Sequence, residues 1–340
     1  MSVTIYDVAK KAGVGIGTVS RAINNNPKIS PQTKIKVLKA INELKYQPHA
    51  LAQGLARKKT SMVATIVPFF TGYFFVELLR GIQQEISKYR YNLILYSVDQ
   101  TNKTETFLEK TLRENRVDGT LLISLRINDK YAKKFSASNF PIVLVDSYHP
   151  DLDSITVENK QGAYVATQHL IQLGHTKIGM INGQLKSSPA QLRLEGYKKA
   201  LRDNNILFKE KYLIISDSGQ DGFNREAGYQ GMKRLLELGD NKPTAVFISS
   251  DIQAAGAIRA IQEYGLKIPE DIAIVGFDDI EMAEYLGLTT MHQPMFEMGK
   301  LAVQRLMAKI SGEDSRKFKK SFLTNLVIRE SCGFSRKMPT

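Results

Sequence analysis

The sequence predicts a small all-α N-terminal domain followed by an α/β core of two doubly wound parallel-sheet lobes. Three observations lead there. Up to about residue 45, apolar residues recur at helical spacing between helix caps, with no strand pattern. From Met62 onward, short β-branched runs alternate with amphipathic helical stretches, in two successive series. The 340 residues, 43% of them hydrophobic, suffice for two or three domains with large cores.

Charge divides the chain in the same place. Residues 1–60 carry eleven Lys and Arg against only Asp7 and Glu43, so +9 of the net +13 lies in the first module. A basic module on a nearly balanced body implies a polyanionic partner for that module. The single cysteine, Cys332, excludes an internal disulfide framework and a Cys-based zinc site. "MSVTIYDVAK" lacks the apolar stretch of a secretory signal, and no apolar run approaches the roughly 20 residues that span a bilayer. The expectation is a soluble, cytoplasmic protein without membrane association.

In the first module Thr4 is placed to cap a helix, with Asp7 near its positive end and Ile5, Val8, Ala9 and Ala12 on one face. Gly13 suits the left-handed turn that follows. A second helix spans about Ile16 to Asn24, and "NNNPKIS" reads as a loop. Ser30-Pro31 opens a third helix whose apolar positions Ile35, Leu38, Ile41 and Leu44 are read as one face. Three short helices with a tight glycine turn between the first two describe a helix-turn-helix. The glycines of "VGIGTVSRAIN" are not a phosphate loop, because GxxxxGK[ST] is absent and no strand precedes them. The second helix buries Val19, Ala22 and Ile23 and leaves Ile16, Gly17, Thr18, Ser20 and Arg21 to face a groove or phosphates. Arg21 can meet guanine O6 and N7 bidentately, which is worth about 1–3 kcal/mol of discrimination.

In the body, the runs "MVATIV", "YNLILYSV", "GTLLIS" and "PIVLVD" form the first strand series. "KIGMING", "YLIIS", "TAVFISSD" and "DIAIVGFDD" form the second. Ligands of open parallel sheets bind outside the carboxyl ends of the strands. Those positions hold Phe69, Phe70, Tyr73, Phe74 and Phe75, then Asp146, then Asp251, with Arg193 on a neighbouring helix. Aromatic walls with carboxylates and an arginine suit a polyhydroxylated ligand. Asp278 and Asp279 are read as turn caps. The five histidines show no metal-binding spacing, and no nucleophile elbow occurs, so no catalytic residue, metal or cofactor is expected.

The string from "TIYDVAKKAGVGIGTVSRAINNNP" to "LARKKT" resembles the DNA-binding region of the LacI/GalR family of bacterial transcription regulators. "GAYVATQHLIQLGHTKIGMING", "RLEGYKKAL" and "SSDIQAAGAIRAIQEYGLKIPEDIAIVGFDD" resemble that family's periplasmic-binding-protein-like core. The sequence departs from the family at Gly15, where a helix-capping serine is usual. The resemblance implies a helix-turn-helix domain over 1–47, a hinge over 48–60 and a core over 61–333, with a tail at 334–340. Within the core it implies an N-lobe of about 61–160 and 292–322 and a C-lobe of about 161–291 and 323–333. Glu158-Asn159 then fall at a crossing between lobes. It further implies a ligand-responsive repressor that binds a pseudo-palindromic operator as a homodimer, with a sugar as effector. DNA contacts would come from Thr4, Ile16, Gly17, Thr18, Ser20, Arg21 and Asn24, with Ala52, Leu55 and Arg57 from the hinge. Leu55 would wedge into the minor groove. Effector contacts would come from Phe75, Arg193 and Asp251, with Asp146 and Phe223 as further candidates. The rival readings are a sugar-binding or carbohydrate-processing protein on the same core, or a regulator answering to a nucleobase or a partner protein.

Overall fold

A computed structural model describes residues 3–23, 26–46, 59–68, 72–98, 101–114, 116–217, 221–314 and 316–334. The chain divides into two units, Met1–Ser61 and Met62–Thr340. Asn24 and the hinge positions Ala52, Leu55 and Arg57 lie outside the described residues.

The first unit holds α1 (Ile5–Ala12), α2 (Ile16–Ile23) and α3 (Pro31–Leu44). The Thr4 backbone N–H and hydroxyl both donate to Asp7 Oδ2, at 2.9 and 2.7 Å, which fixes the start of α1. Gly13 ends that helix at φ 65. At α3, Ser30 Oγ accepts the Thr33 N–H at 3.3 Å ahead of Pro31. Val8, Ala9, Val19, Ala22, Val37, Ala40 and Tyr46 form the core, and Lys11 bridges to Glu43 at 2.8 Å from α1 to α3.

The apolar face read for α3 is corrected. Val37 and Ala40 are buried, with Ile41 and Leu44 at their edge, whereas Ile35 is 65% exposed and Leu38 43%. A strict three-residue step drifts around a helix of 3.6 residues per turn. Over the nine residues from Ile35 to Leu44 it reaches the opposite side.

The second unit carries two sheets. The N-lobe strands are β1 (Met62–Val67), β2 (Asn92–Ser97), β3 (Gly119–Ile123), β4 (Ile142–Val145), β5 (Asp153–Val157) and β11 (Lys319–Phe322). They pair in parallel in the order β2-β1-β3-β4-β5-β11. The C-lobe strands are β6 (Ile178–Asn182), β7 (Leu213–Ile215), β8 (Ala245–Ile248), β9 (Ala273–Asp278), β10 (Thr290–His292) and β12 (Asn325–Val327). Their order is β7-β6-β8-β9-β10-β12, with only β12 antiparallel among these pairings. Each sheet is apolar on both faces, as helix-covered parallel sheets are.

Among the described residues the N-lobe is covered by α4 (Tyr73–Ile86), α5 (Thr101–Arg113), α6 (Asp129–Ser138) and α12 (Met295–Ser311). The C-lobe has α7 (Asn159–Gln172), α8 (Ser188–Asp203), α9 (Arg225–Leu236), α10 (Asp251–Glu263) and the short α11 (Glu281–Tyr285). Helices α4 and α12 pack backbone to backbone. A Cβ on Gly81 would fall 2.1 Å from the Phe296 carbonyl oxygen, and one on Gly299 2.2 Å from that of Leu78. The described chain passes between lobes after β5, after β10 and between β11 and β12, so the segments at 158, 293–294 and 323–324 connect them. Strands β5, β10, β11 and β12 were not marked by the strand pattern in the sequence. They are three to five residues long and carry polar residues such as Asp153, Lys319 and Asn325. Lys319 and Lys320 lie on the edge strand β11, where lysine discourages pairing with another sheet.

Candidate functional site

The first candidate surface is the outer face of α2. Val19 and Ala22 anchor the helix inward, leaving Ile16, Gly17 and Arg21 exposed and Thr18 and Ser20 half-buried. Arg21 Nε donates to the Gly17 carbonyl at 3.1 Å, and its Nη2 lies 3.8 Å from where a Gly17 Cβ would sit. The missing side chain at Gly17 therefore leaves room for the guanidinium to lie along the helix face. Thr4 is exposed at the start of α1. Both acids of the unit are occupied: Thr4 holds the Asp7 carboxyl below its usual range through hydrogen bonds, and Lys11 does the same for Glu43. Lys10, Lys28, Lys36 and Lys39 are exposed, so the unit presents a positive field to a polyanion.

The second is a cavity of about 850 Å³ between the lobes of the core, at the carboxyl ends of both sheets. Arg193, buried on α8, forms part of its wall. Its Nε donates to Asn159 Oδ1 at 2.8 Å, and its Nη1 donates to the Ser249 carbonyl and stands 3.7 Å from Asp278 Oδ1. The guanidinium stacks on Phe277 with 3.8 Å to the ring centroid and lies 5.6 Å from that of Phe223. Asp278 Oδ1 also accepts from Gln293 Nε2 at 2.5 Å. Asn159 and Gln293 stand at two of the connections between lobes. Both members of the central ion pair are thus bonded to segments whose backbone must turn if the lobes move.

Asp146 follows β4 at φ 51 and accepts the Ser124 hydroxyl at 2.7 Å. Phe74 and Phe75 meet edge to face at 5.3 Å and, with Tyr73 and Phe223, supply aromatic wall. Side-chain hydrogen bonds between the lobes run from Arg126 Nη2 to Gln191 Oε1 at 3.2 Å and from Arg225 Nη2 to Tyr73 Oη at 3.4 Å. Burial pushes the Asp146 carboxyl up to about 6 and that of Asp278 up to about 7, in spite of Arg193. Burial also raises Asp221 and lowers the Arg193 guanidinium. Carboxyls in this range exchange protons near neutrality and can donate as well as accept. With aromatic faces beside them, they are equipped to hold an uncharged polyhydroxylated molecule.

Among the predicted effector residues, Phe75, Asp146, Arg193 and Phe223 all line this cavity. Asp251 stands apart from these four. It is 1% exposed and absent from the wall, with Oδ1 accepting from Thr290 Oγ1 at 2.6 Å and Oδ2 accepting the Ile280 N–H at 3.1 Å. It braces the turn after β9, where Asp278 (φ 126) and Asp279 (φ 58) hold positive φ angles rare for L side chains. Of the two, Asp278, read from the sequence as a cap, is the one on the wall, and it rather than Asp251 pairs with Arg193. Asp279 is engaged away from that pair by Arg329 at 2.9 Å and His292 at 3.0 Å. Sequence reasoning also passed over Ser124, Lys186 and Asp221. Ser124 directly follows β3, so examining every strand end would have found it.

Two family models match the chain. "Bacterial regulatory proteins, lacI family" covers residues 4–49, and "Periplasmic binding protein-like domain" covers 167–332. Catabolite control protein A of Priestia megaterium is 36% identical over 320 residues, spanning 93% of this chain and 94% of that one. The ribose operon repressor of Haemophilus influenzae is 37% identical over 333 residues, spanning 96% and 98%. Among solved structures, the lac repressor dimer bound to operator and the anti-inducer ONPF superposes with a TM-score of 0.83 at 30% identity, covering 98% of this chain and 99% of that one.

Proposed function

This chain belongs to the lacI family of bacterial regulatory proteins and is a ligand-responsive DNA-binding transcriptional repressor; from that premise we propose how its residues divide the work. The exposed face of α2 reads operator DNA in the major groove through Ile16, Gly17, Thr18, Ser20 and Arg21, with Thr4 on phosphate. Asn24 and the hinge residues Ala52, Leu55 and Arg57 add contacts, Leu55 wedging between base steps. Two copies bind a pseudo-palindromic site. The protein acts in the cytoplasm as a regulator rather than an enzyme.

The effector occupies the cavity between the lobes, and we assign it to the sugars. The observation that carries this is the arrangement of Asp146, Asp278 and Arg193 beside the rings of Phe75 and Phe223. Hydroxyls pair with the charged groups and C–H faces pack on the rings. Arg193 and Asp278 are each bonded to a connection between lobes, so a ligand that binds them shifts the lobes and with them operator affinity. The test joins binding-site selection on the purified chain with a thermal-shift screen of sugars. Arg21→Ala is expected to flatten base preference at one position of each half-site, at a cost of about 1–3 kcal/mol in operator binding. Arg193→Ala is expected to abolish the sugar response while operator binding persists. Unchanged base preference refutes the reading of α2, and an intact sugar response refutes the assignment of the cavity.

A further inference from the structure

A fully buried glutamine stands behind the cavity, at a helix position suited to an apolar residue. Gln253 lies in the first turn of α10, is 0% exposed and forms no part of the cavity wall. The buried positions that follow it, Ala254, Ala257, Ala260 and Ile261, all belong to one apolar cluster. A methionine has the same length and would bury there without taking an amide out of water. The amide is instead engaged at both ends. Nε2 donates to the Gly222 carbonyl at 2.9 Å, and Oε1 accepts from Ser249 Oγ and Ser250 Oγ, both at 3.2 Å. A carbonyl can only accept, so Gly222 fixes which end of the amide is nitrogen.

These bonds join two segments that flank Arg193. On one side, the Ser249 carbonyl accepts from Arg193 Nη1, and Ser250 lies on the wall. On the other, Gly222 stands between Asp221 and Phe223, both on the wall, with the Phe223 ring centroid 5.6 Å from the guanidinium. That ring lies against Gly183, where a Cβ would fall 2.6 Å from it. Gln253 is a fixed point from which to hold the segment, because α9 packs directly on its backbone: a Cβ on Gly228 would fall 1.9 Å from the Gln253 carbonyl oxygen. Without the Nε2 donor the Gly222 carbonyl loses a buried partner, and the segment gains by turning that carbonyl toward water, which carries the ring with it. We propose that Gln253 is a positioning residue for the effector site: its amide sets Asp221–Phe223 in register with Ser249–Ser250 and so holds the Phe223 ring beside Arg193, without itself touching the ligand. The inference rests on the reading above that this cavity binds the effector.

Gln253→Met keeps the length of the side chain and removes its hydrogen bonds, and two measurements on the full chain test the proposal. Amide hydrogen exchange needs no ligand. The Phe223 N–H, bonded to Asp221 Oδ1, and the Gln184 N–H, bonded to the Asp221 carbonyl, are expected to exchange at least tenfold faster than in the parent. Ala257 and Ile261, in the interior of α10, should stay within twofold. Calorimetric titration with D-glucose, D-galactose, D-ribose and cellobiose follows binding. For each sugar that the parent binds, Gln253→Met is expected to raise Kd at least fivefold. In a Phe223→Leu background the same substitution should raise Kd less than twofold, because the ring it positions is already gone. A residue that merely supported the fold would speed exchange throughout α10 and would add its loss in either background. Gln253→Leu takes the place of the methionine variant should the latter not fold. Unchanged exchange at Phe223 and Gln184, exchange raised throughout α10, or equal losses in the two backgrounds overturns the inference and leaves the cavity assignment standing. If the parent binds none of the four sugars, the sugar assignment falls, and amide exchange alone decides the inference.

Discussion

Asp146→Asn separates the stability of the empty core from its capacity to bind. The folded Asp146 carboxyl holds its proton up to about pH 6, against an ordinary value of 3.8, because burial outweighs the Ser124 hydrogen bond and Arg193. Between those two values the folded state binds more protons than the unfolded one, so this group makes stability fall as pH rises. Above pH 6 the cost of holding the charge is complete, on the order of 3 kcal/mol for a displacement of this size. Below about pH 3 both states are protonated and the cost vanishes. Asparagine keeps an acceptor for the Ser124 hydroxyl and tolerates φ 51, so it removes the charge without breaking the local geometry. The variant is therefore expected to exceed the parent by about 1–3 kcal/mol at pH 7.5, and by nothing measurable at about pH 3. It should bind sugar less well at both. Urea unfolding of the core transition, followed by circular dichroism across this range, provides the measurement. A difference between variant and parent that does not change with pH would refute the argument, as would a variant less stable than the parent at pH 7.5.

Asp251→Ala is expected to lower the stability of the ligand-free protein by about 1–3 kcal/mol, because the Ile280 N–H and the Thr290 hydroxyl lose a buried partner; urea unfolding without ligand checks this, and an unaffected midpoint would mean that these bonds do not hold the turn. Gly15→Ser meets open space and places a hydroxyl ahead of α2, so the first unit should gain a few tenths of a kcal/mol, read from the N-terminal amides by hydrogen exchange. Gly299→Ala drives a Cβ to 2.2 Å from the Leu78 carbonyl oxygen and forces α4 from α12. It should cost about 1–3 kcal/mol by differential scanning calorimetry, and a neutral result would mean that the helix pair yields freely.

What could be read from the sequence was set by short-range physics. The caps at Thr4 and Ser30 and the turn at Gly13 depend on neighbours within a few residues, and they stand where the sequence predicts. The buried, largely apolar strands β1, β3, β4, β6, β8 and β9 announce themselves because a parallel strand buried on both faces reads as an apolar run. The general location of the cavity followed from the same pattern, since parallel strands place their carboxyl ends together. Tertiary structure decided the rest. Ile35 reads as core until three helices pack and Val37 proves to be the residue that faces inward. Strands β10 and β12 have no apolar run to mark them and exist because β9 offers an edge to β10, and β10 in turn to β12. Asp251 and Asp278 each stand at a strand's carboxyl end, and composition does not tell them apart. The positive φ angle at Asp278 turns one carboxylate toward Arg193, and the bonds from Thr290 and Ile280 hold the other beneath that turn. Which of two acids reaches the cavity wall is a question of direction, and direction is set by contacts between residues far apart in the chain.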